Sequence, residues 1–294
     1  VAERSEPGDR VVLATPNGYE QFLLTLAVSR AGRIPAPVNA HMTAAEIDHV
    51  VADSGAALVV RATDDLAGGV ALGRAVPVAA SDVAALFYTS GTTGKPKGLM
   101  HSCGGYQVHI ATTLKYVFDL KEEDRYWCAA DPGWITGHSY IVYGPLAICA
   151  STVIYEGVPN YPDAGRPWRI AQNLDVNIFH TAPTAIRALR KLGPDEPQKY
   201  TYHFKHMTTV GEPIEPEVWK WYYYTVGKGE AAICDTWWQT ENGGFLCSTL
   251  PAIKPMKPGS AGPGVPGIHP IVFDEDGNVV PPGAGKAGNI CIQN

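Results

Sequence analysis

Positive charge is scarce in this chain. Its 23 lysines and arginines face 29 aspartates and glutamates, leaving a net charge of −6 over 294 residues. That balance gives no basic face for nucleic acid or an anionic membrane surface, so neither partner is expected. Long apolar runs are also missing. The longest, Ile141 to Tyr155, is interrupted by Gly144, Pro145, Ser151 and Thr152 and falls short of the about 20 residues of a membrane-crossing helix. None of the six cysteines (Cys103, Cys128, Cys149, Cys234, Cys247, Cys291) forms a CxxC pair, and nothing ahead of them reads as a secretory signal. Reduced thiols and a cytoplasmic location are the expectation. His203 and His206 have H-x-x-H spacing without a second ligand pair at zinc-site distance, which favours two ordinary histidines over a metal site.

What is present is material for a core: 45% of positions are hydrophobic, and a chain near 300 residues buries about 75% of its unfolded surface. Val11 to Ala14 reads as a strand, and Tyr19, Phe22, Leu23 and Leu26 follow at helical spacing until Gly32. Thr43 to Glu46 has the capping-box pattern, with Gly55 as the stop. Further strands are expected at 84–88, 126–129, 152–155, 176–179, 207–210 and 231–234, and helices at 106–118, 139–149, 167–174, 184–192 and 215–226. Alternation of this kind, with strands apolar throughout, predicts an α/β fold of mostly parallel β-sheets flanked by helices. After Leu250 the stretch 251–267 holds five prolines and four glycines. Beyond it a small β-rich C-terminal element is expected, turning at Asp274 to Gly277.

Composition also changes along the chain. Residues 1–94 contain no lysine, cysteine or tryptophan, whereas 95–294 hold all twelve lysines and all seven tryptophans. The organisation read from this is a first α/β part at 1–94, a core at 95–250 and a β-rich tail at 251–294.

Thr89-Ser90-Gly91-Thr92-Thr93-Gly94-Lys95-Pro96-Lys97-Gly98 follows an apolar strand. Glycines allow successive backbone N–H groups to turn toward one anion, and hydroxyls and lysines add donors and charge, so the fitting ligand is a polyphosphate. The spacing is not that of a Walker loop. Gly91 and Gly94 enclose two residues rather than four, and Pro96 stands where a magnesium-binding hydroxyl would be.

This loop resembles the signature of the adenylate-forming acyl- and aryl-CoA ligases. Three further segments resemble their acetyl-CoA synthetase branch: Ala130 to Tyr140 (ADPGWITGHSY), Thr181 to Arg187 (TAPTAIR) and Asp235 to Glu241 (DTWWQTE). The likeness is dense from Ala84 onward, while the first ~80 residues are more similar to general fatty acyl-CoA ligases. The resemblance implies ATP-dependent activation of acetate, or another short carboxylate, to an acyl adenylate and transfer to CoA, with Mg²⁺ on the phosphates. It implies Lys97, Thr240 and Glu241 as catalytic residues and Glu241 as the metal ligand. Thr89, Ser90, Gly91, Thr92, Thr93, Gly94, Lys95, Gly211, Glu212, Pro213, Asp235, Thr236, Trp237 and Gln239 would bind the nucleotide. Ile135, Thr136, Val210 and Trp238 would form the acyl pocket, and Thr136 and Asn160 would touch CoA. Where the family has Thr after its glutamate this chain has Asn242, and no basic segment resembling the one that meets CoA phosphates stands in 62–81.

The family's ribose-binding aspartate segment and its C-terminal lid domain with an adenylation lysine have no counterpart here. The chain therefore reads as part of a large N-terminal domain, expected to turn over slowly or not at all. The alternative is a non-catalytic nucleotide-binding or structural fragment, or a composite of two ligases.

Overall fold

A computed structural model of the protein describes residues 1–39, 41–66, 72–89, 95–158 and 160–293. The first part builds a three-stranded parallel sheet from β1 (Arg10–Leu13), β2 (Ile34–Pro37) and β3 (Leu58–Val60), in the order β2-β1-β3. Val11, Val12 and Leu13 on the central strand are fully buried. The connecting helices are α1 (Tyr19–Arg30) and α2 (Ala44–Ser54). The capping box expected at α2 forms: the Glu46 N–H donates to Thr43 Oγ1 at 3.3 Å, and the Thr43 N–H donates to Glu46 Oε2 at 2.8 Å. Gly55 ends the helix at φ +60°. Strand β2 was not expected, because Pro35 and Pro37 argue against a strand; it lies at the edge of its sheet, where proline is tolerated.

Strands β4 (Val83–Thr89) and β5 (Lys97–Ser102) then pair antiparallel, Thr89 opposite Lys97. The boundary drawn at 94/95 falls between these two paired strands. This antiparallel pair is the exception within an expected mostly parallel arrangement, because the connection to β5 is far shorter than the dozen or more residues of a parallel crossover.

The larger unit is a six-stranded sheet. Its elements in chain order are α3 (Cys103–Tyr116), β6 (Arg125–Cys128), α4 (Ile135–Gly137) running through a π-helical stretch (His138–Tyr143) into α5 (Gly144–Ala147), β7 (Ser151–Val153), α6 (Arg166–Asn173), β8 (Ile178–Thr181), α7 (Pro183–Leu192), β9 (His206–Thr209), α8 (Pro216–Trp221) with a π-helical extension to Val226, β10 (Ala232–Trp237) and β11 (Cys247–Ser248). The strand order is β11-β10-β9-β8-β6-β7, every neighbouring pair parallel except β10 with β11.

Side chains alternate across this sheet into two cores. Tyr126, Cys128 and Ile178 enter one with Phe118, Tyr140 and Phe245, while Trp127 and Phe179 enter the other with Trp168, Met207 and Tyr222. The tail forms the antiparallel pair β12 (His269–Phe273) and β13 (Asn289–Gln293). No helix among the described residues is long and apolar enough to cross a membrane.

The entry into α4 depends on close backbone packing. A Cβ on Gly137 would lie 2.3 Å from the Asp131 carbonyl oxygen and 2.4 Å from Pro132 Cα, so the motif needs hydrogen there for lack of space. Gly137→Ala should destabilise the protein by about 1 to 3 kcal/mol, the usual cost of overpacking. Gly73→Ala, where a Cβ meets nothing within 4 Å, should leave the thermal midpoint nearly unchanged. Thermal denaturation of the two variants checks the contrast.

Candidate functional site

In open parallel sheets, ligands bind beyond the carboxyl ends of the strands, and here those ends carry most of the singled-out residues. Strand β9 runs into Val210-Gly211-Glu212-Pro213, β10 into Trp238-Gln239-Thr240-Glu241, and β6 into Ala129 to Thr136. Two adjoining cavities open there. The larger, about 620 Å³, is lined by Gly211, Glu212, Pro213, Asp235, Thr236, Trp237, Trp238 and Gln239, together with Cys247, Gly259 to Gly262 and Ile290. The smaller, about 480 Å³, is lined by Ile135, Thr136, Val210, Gly211, Trp238, Gln239 and Thr240, together with Ala129 to Asp131, Trp134 and Ala182. Gly211, Trp238 and Gln239 belong to both walls.

Other expected residues lie outside these walls. Glu241, Lys95 and Lys97 are exposed, and Thr89 and Lys97 face each other at the connected end of the β4–β5 hairpin. Asn160 is exposed and lines neither cavity, unlike Thr136, its expected companion in touching CoA. Ser90, Gly91, Thr92, Thr93 and Gly94 lie outside the described residues.

Glu212 also has a structural task. Its Oε1 accepts the Thr184 N–H at 2.7 Å and the Thr184 hydroxyl, while Arg187 Nη2 donates to its Oε2 at 2.8 Å. It thus caps the first turn of α7 and ties the TAPTAIR segment to the Gly211-Glu212-Pro213 turn. Burial works against its charge, but the bonds from Thr184 and Arg187 prevail and hold its carboxyl below the usual range.

Asp235 is in the opposite situation. It is buried, and burial raises its carboxyl above the ordinary range even though Thr209 Oγ1 donates to Oδ1 at 2.5 Å and the Thr236 N–H donates to the same oxygen at 3.0 Å. Thr236 in turn donates its hydroxyl to the Thr209 carbonyl at 2.7 Å. These bonds fix the ends of β9 and β10 against each other beneath the larger cavity.

The two tryptophans diverge. Trp238 packs edge-on against Tyr140 at 5.5 Å and Phe245 at 5.7 Å, so one side of its indole rests on the core while the rest walls both cavities. Trp237 belongs to neither large core and stands in the wall of the larger cavity only. Trp134, 48% exposed, lines the smaller cavity without having been singled out. Its position beside Ile135 in the ADPGWITGHSY segment was the available signal. Cys247 and the 259–262 turn were missed because a Pro/Gly-rich stretch carries no periodicity.

The family model described as "AMP-binding enzyme" matches residues 4–73 and 64–294. The chain belongs to this family. It is 56% identical over 217 residues to an acetyl-coenzyme A synthetase of Wolinella succinogenes, and 52% identical over 219 residues to one of Agrobacterium fabrum. Each alignment covers 74% of this chain and 33% of the relative, so the chain spans about a third of the length of the curated relatives it matches. Among solved structures, an acyl-CoA synthetase of Brucella canis superposes with TM-score 0.83 at 28% identity, over 98% of this chain and 57% of that one. An anthranilate CoA ligase in complex with anthranoyl-AMP also gives 0.83, over 97% and 60%; at 23% identity this speaks to the fold alone. The adenylate-forming fold expected from the sequence is borne out.

Two expectations follow from the site. Asp235→Asn keeps an acceptor for Thr209 and Thr236 while removing a carboxyl whose charged form burial disfavours. A raised folded-state value means that Asp235's favourable contribution is complete at low pH and is lost as pH climbs through that raised value. The thermal midpoint of Asp235→Asn relative to wild type should therefore rise with pH across the acid range; a flat or falling difference would contradict the burial argument. Lys97→Ala should change stability by less than about 0.5 kcal/mol, as for an exposed substitution. Thermal denaturation of the variant beside wild type registers it.

Proposed function

We propose that the chain carries the nucleotide and acyl sites of an AMP-forming acetate–CoA ligase. A short carboxylate attacks the α-phosphate of ATP, giving an acyl adenylate and pyrophosphate, and the CoA thiol then displaces AMP to give the thioester. The observation that carries this reading is the pair of cavities meeting at Gly211, Trp238 and Gln239. An acyl adenylate is a molecule of the same outline, a nucleotide joined at its phosphate to a small apolar group. The names of the curated relatives support the same activity.

The residues take their parts accordingly. Gly211, Glu212, Pro213, Asp235, Thr236, Trp237 and Gln239 surround the nucleoside, and Thr89 to Lys95 hold the outer phosphates. Lys97 and Thr240 offer donors to charge on the transferring phosphate. This is catalysis by positioning and charge stabilisation and needs no protein nucleophile. Ile135, Thr136, Val210 and Trp238 enclose the acyl group, and Thr136 and Asn160 meet CoA.

Among the described residues no group of three or more His, Cys, Asp or Glu converges on one point, so this is no all-protein metal cage. That suits Mg²⁺, which commonly takes one or two carboxylates plus substrate phosphates and water. Glu241, an exposed carboxylate next to the Thr240 hydroxyl, would hold it, and the ion would neutralise phosphate charge when bound.

Trp238 should set acyl length, since its indole stands in the wall shared by the two cavities and limits how far an acyl chain can extend. Trp238→Gly opens apolar volume in which each added CH₂ is worth about 0.8 kcal/mol, or roughly fourfold in affinity. Dissociation constants for ethyl-AMP and pentyl-AMP, stable analogues of the adenylate, provide the test. Wild type should favour the ethyl ester and Trp238→Gly the pentyl ester, with Trp237→Gly weakening both alike. An unchanged preference in Trp238→Gly would move the acyl pocket elsewhere, and failure of either ester to compete with AMP would overturn the reading as a whole.

A further inference from the structure

The loop after β10 is held from outside by side chains to which the reaction gives no part. His101, on β5, places its ring Nε2 2.8 Å from the Thr240 carbonyl oxygen. A carbonyl only accepts, so this nitrogen carries a proton and donates it. Ser139 Oγ, in the π-helical stretch, donates to the Gly243 carbonyl at 2.7 Å. Its own proton is thereby committed, so the Tyr106 hydroxyl, 2.8 Å away on α3, donates to Ser139 Oγ. Tyr140 OH accepts the Phe245 N–H at 3.1 Å. Two elements, β5 and the π-helical stretch, thus hold residues 240, 243 and 245 by their backbone polar groups, with α3 supporting Ser139 from behind.

The loop fits this clamp because it carries two glycines. Gly243 sits at φ +75°, where a Cβ would lie 2.9 Å from Tyr106 Cδ2 and 3.1 Å from His101 Cε1; a Cβ on Gly244 would lie 2.5 Å from His109 Cδ2. With residues 243 and 245 pinned, the side-chain hydrogen bond that reaches the outer part of the loop, among the described residues, is that of His101 with the Thr240 carbonyl. The next residue is Glu241.

We propose that His101 is a positioning residue for Glu241: by holding the Thr240 carbonyl, it sets where the Glu241 carboxylate meets a divalent cation on the nucleotide phosphates. The inference rests on the proposed role of Glu241. It assigns His101 no contact with substrate. The competing explanation is packing, since the ring lies 5.4 Å from both Phe87 and Tyr106.

Two pairs of variants separate hydrogen bond from packing. His101→Phe keeps an aromatic ring and loses the donor. Among ringless replacements, His101→Gln carries an amide N–H to about the reach of Nε2, and His101→Asn falls short. ATP binding to the 294-residue chain, measured by calorimetry over a series of Mg²⁺ concentrations, gives the half-saturating Mg²⁺ for each variant. Loss of one such hydrogen bond corresponds to about a 3- to 10-fold rise, expected for His101→Phe and His101→Asn. His101→Gln should stay within about twofold of wild type, and Mg²⁺-free binding should hardly move in any variant. The proposal is overturned if His101→Phe behaves as wild type, if Gln and Asn are equally impaired, or if Mg²⁺-free binding falls as much as Mg²⁺-dependent binding. Should His101→Phe not fold, the Gln and Asn comparison decides alone. Glu241→Gln in an otherwise unchanged chain tests the underlying assignment: if it leaves the Mg²⁺ dependence intact, the role of Glu241 fails, whereas a loss there with no effect at His101 sinks only the positioning role.

Discussion

The central sheet is covered on both faces, and the rest of the arrangement follows from that. Strands β6, β8 and β10 send alternate side chains into two separate aromatic-rich cores, so neither face offers room or solvation for a polar ligand. Only the strand ends remain. At the carboxyl ends the backbone leaves the ladder, its N–H and C=O groups are no longer all taken by neighbours, and polar side chains can reach water. The crowding of Val210 to Pro213, Asp235 to Glu241 and Ala129 to Thr136 into one region is the geometric result of burying both faces and running β6, β9 and β10 parallel, so that their carboxyl ends fall together.

The site is therefore built from groups that first satisfy the fold. Thr209, Asp235 and Thr236 bind one another across β9 and β10, and Glu212 caps α7. A polar atom left unpaired at this depth would cost about 1 to 3 kcal/mol, so such residues acquire structural partners before they meet a ligand. One consequence is that replacing Glu212 would disturb two segments of the cavity region together. Loss of binding there would not by itself show contact with a nucleotide.

Legibility in the sequence tracked the kind of signal each element carries. The buried parallel strands and the helices between them announce themselves by apolar runs and 3.6-residue spacing, and α2 adds a complete set of end signals in Thr43, Glu46 and Gly55. Strand β5 escaped because Lys97-Gly-Leu-Met-His-Ser is a half-exposed hairpin partner whose polar positions resemble loop. β2 escaped because of its two prolines. Residues of the site were legible where they stand in compact segments with unusual chemistry, such as DTWWQTE. Those contributed singly from distant segments, Cys247, Ile290 and the 259–262 turn, carry no local pattern, and only the fold brings them together. His101 belongs with these, since nothing in Leu-Met-His-Ser says that its ring will meet the backbone at residue 240.

Asp235 and Glu241 show how environment divides labour between two carboxylates six positions apart. Asp235 is enclosed beneath the cavity, its charge disfavoured by burial and one oxygen already accepting two bonds. A cation drawn to it would have to compete with the Thr209 hydroxyl and the Thr236 N–H, and would lose most of its water in a space bounded by tryptophan and backbone. Mg²⁺ gives up water reluctantly, which makes that position a poor choice for it. Glu241 stands exposed, past the last residue of β10, where a cation can retain water and share phosphate oxygens. The same strand thus ends in a neutralising environment suited to hydrogen bonding and, a turn later, in a hydrated one suited to a hard ion. Between them in the chain stand Thr236 to Thr240, with Trp237 and Trp238 in the cavity wall.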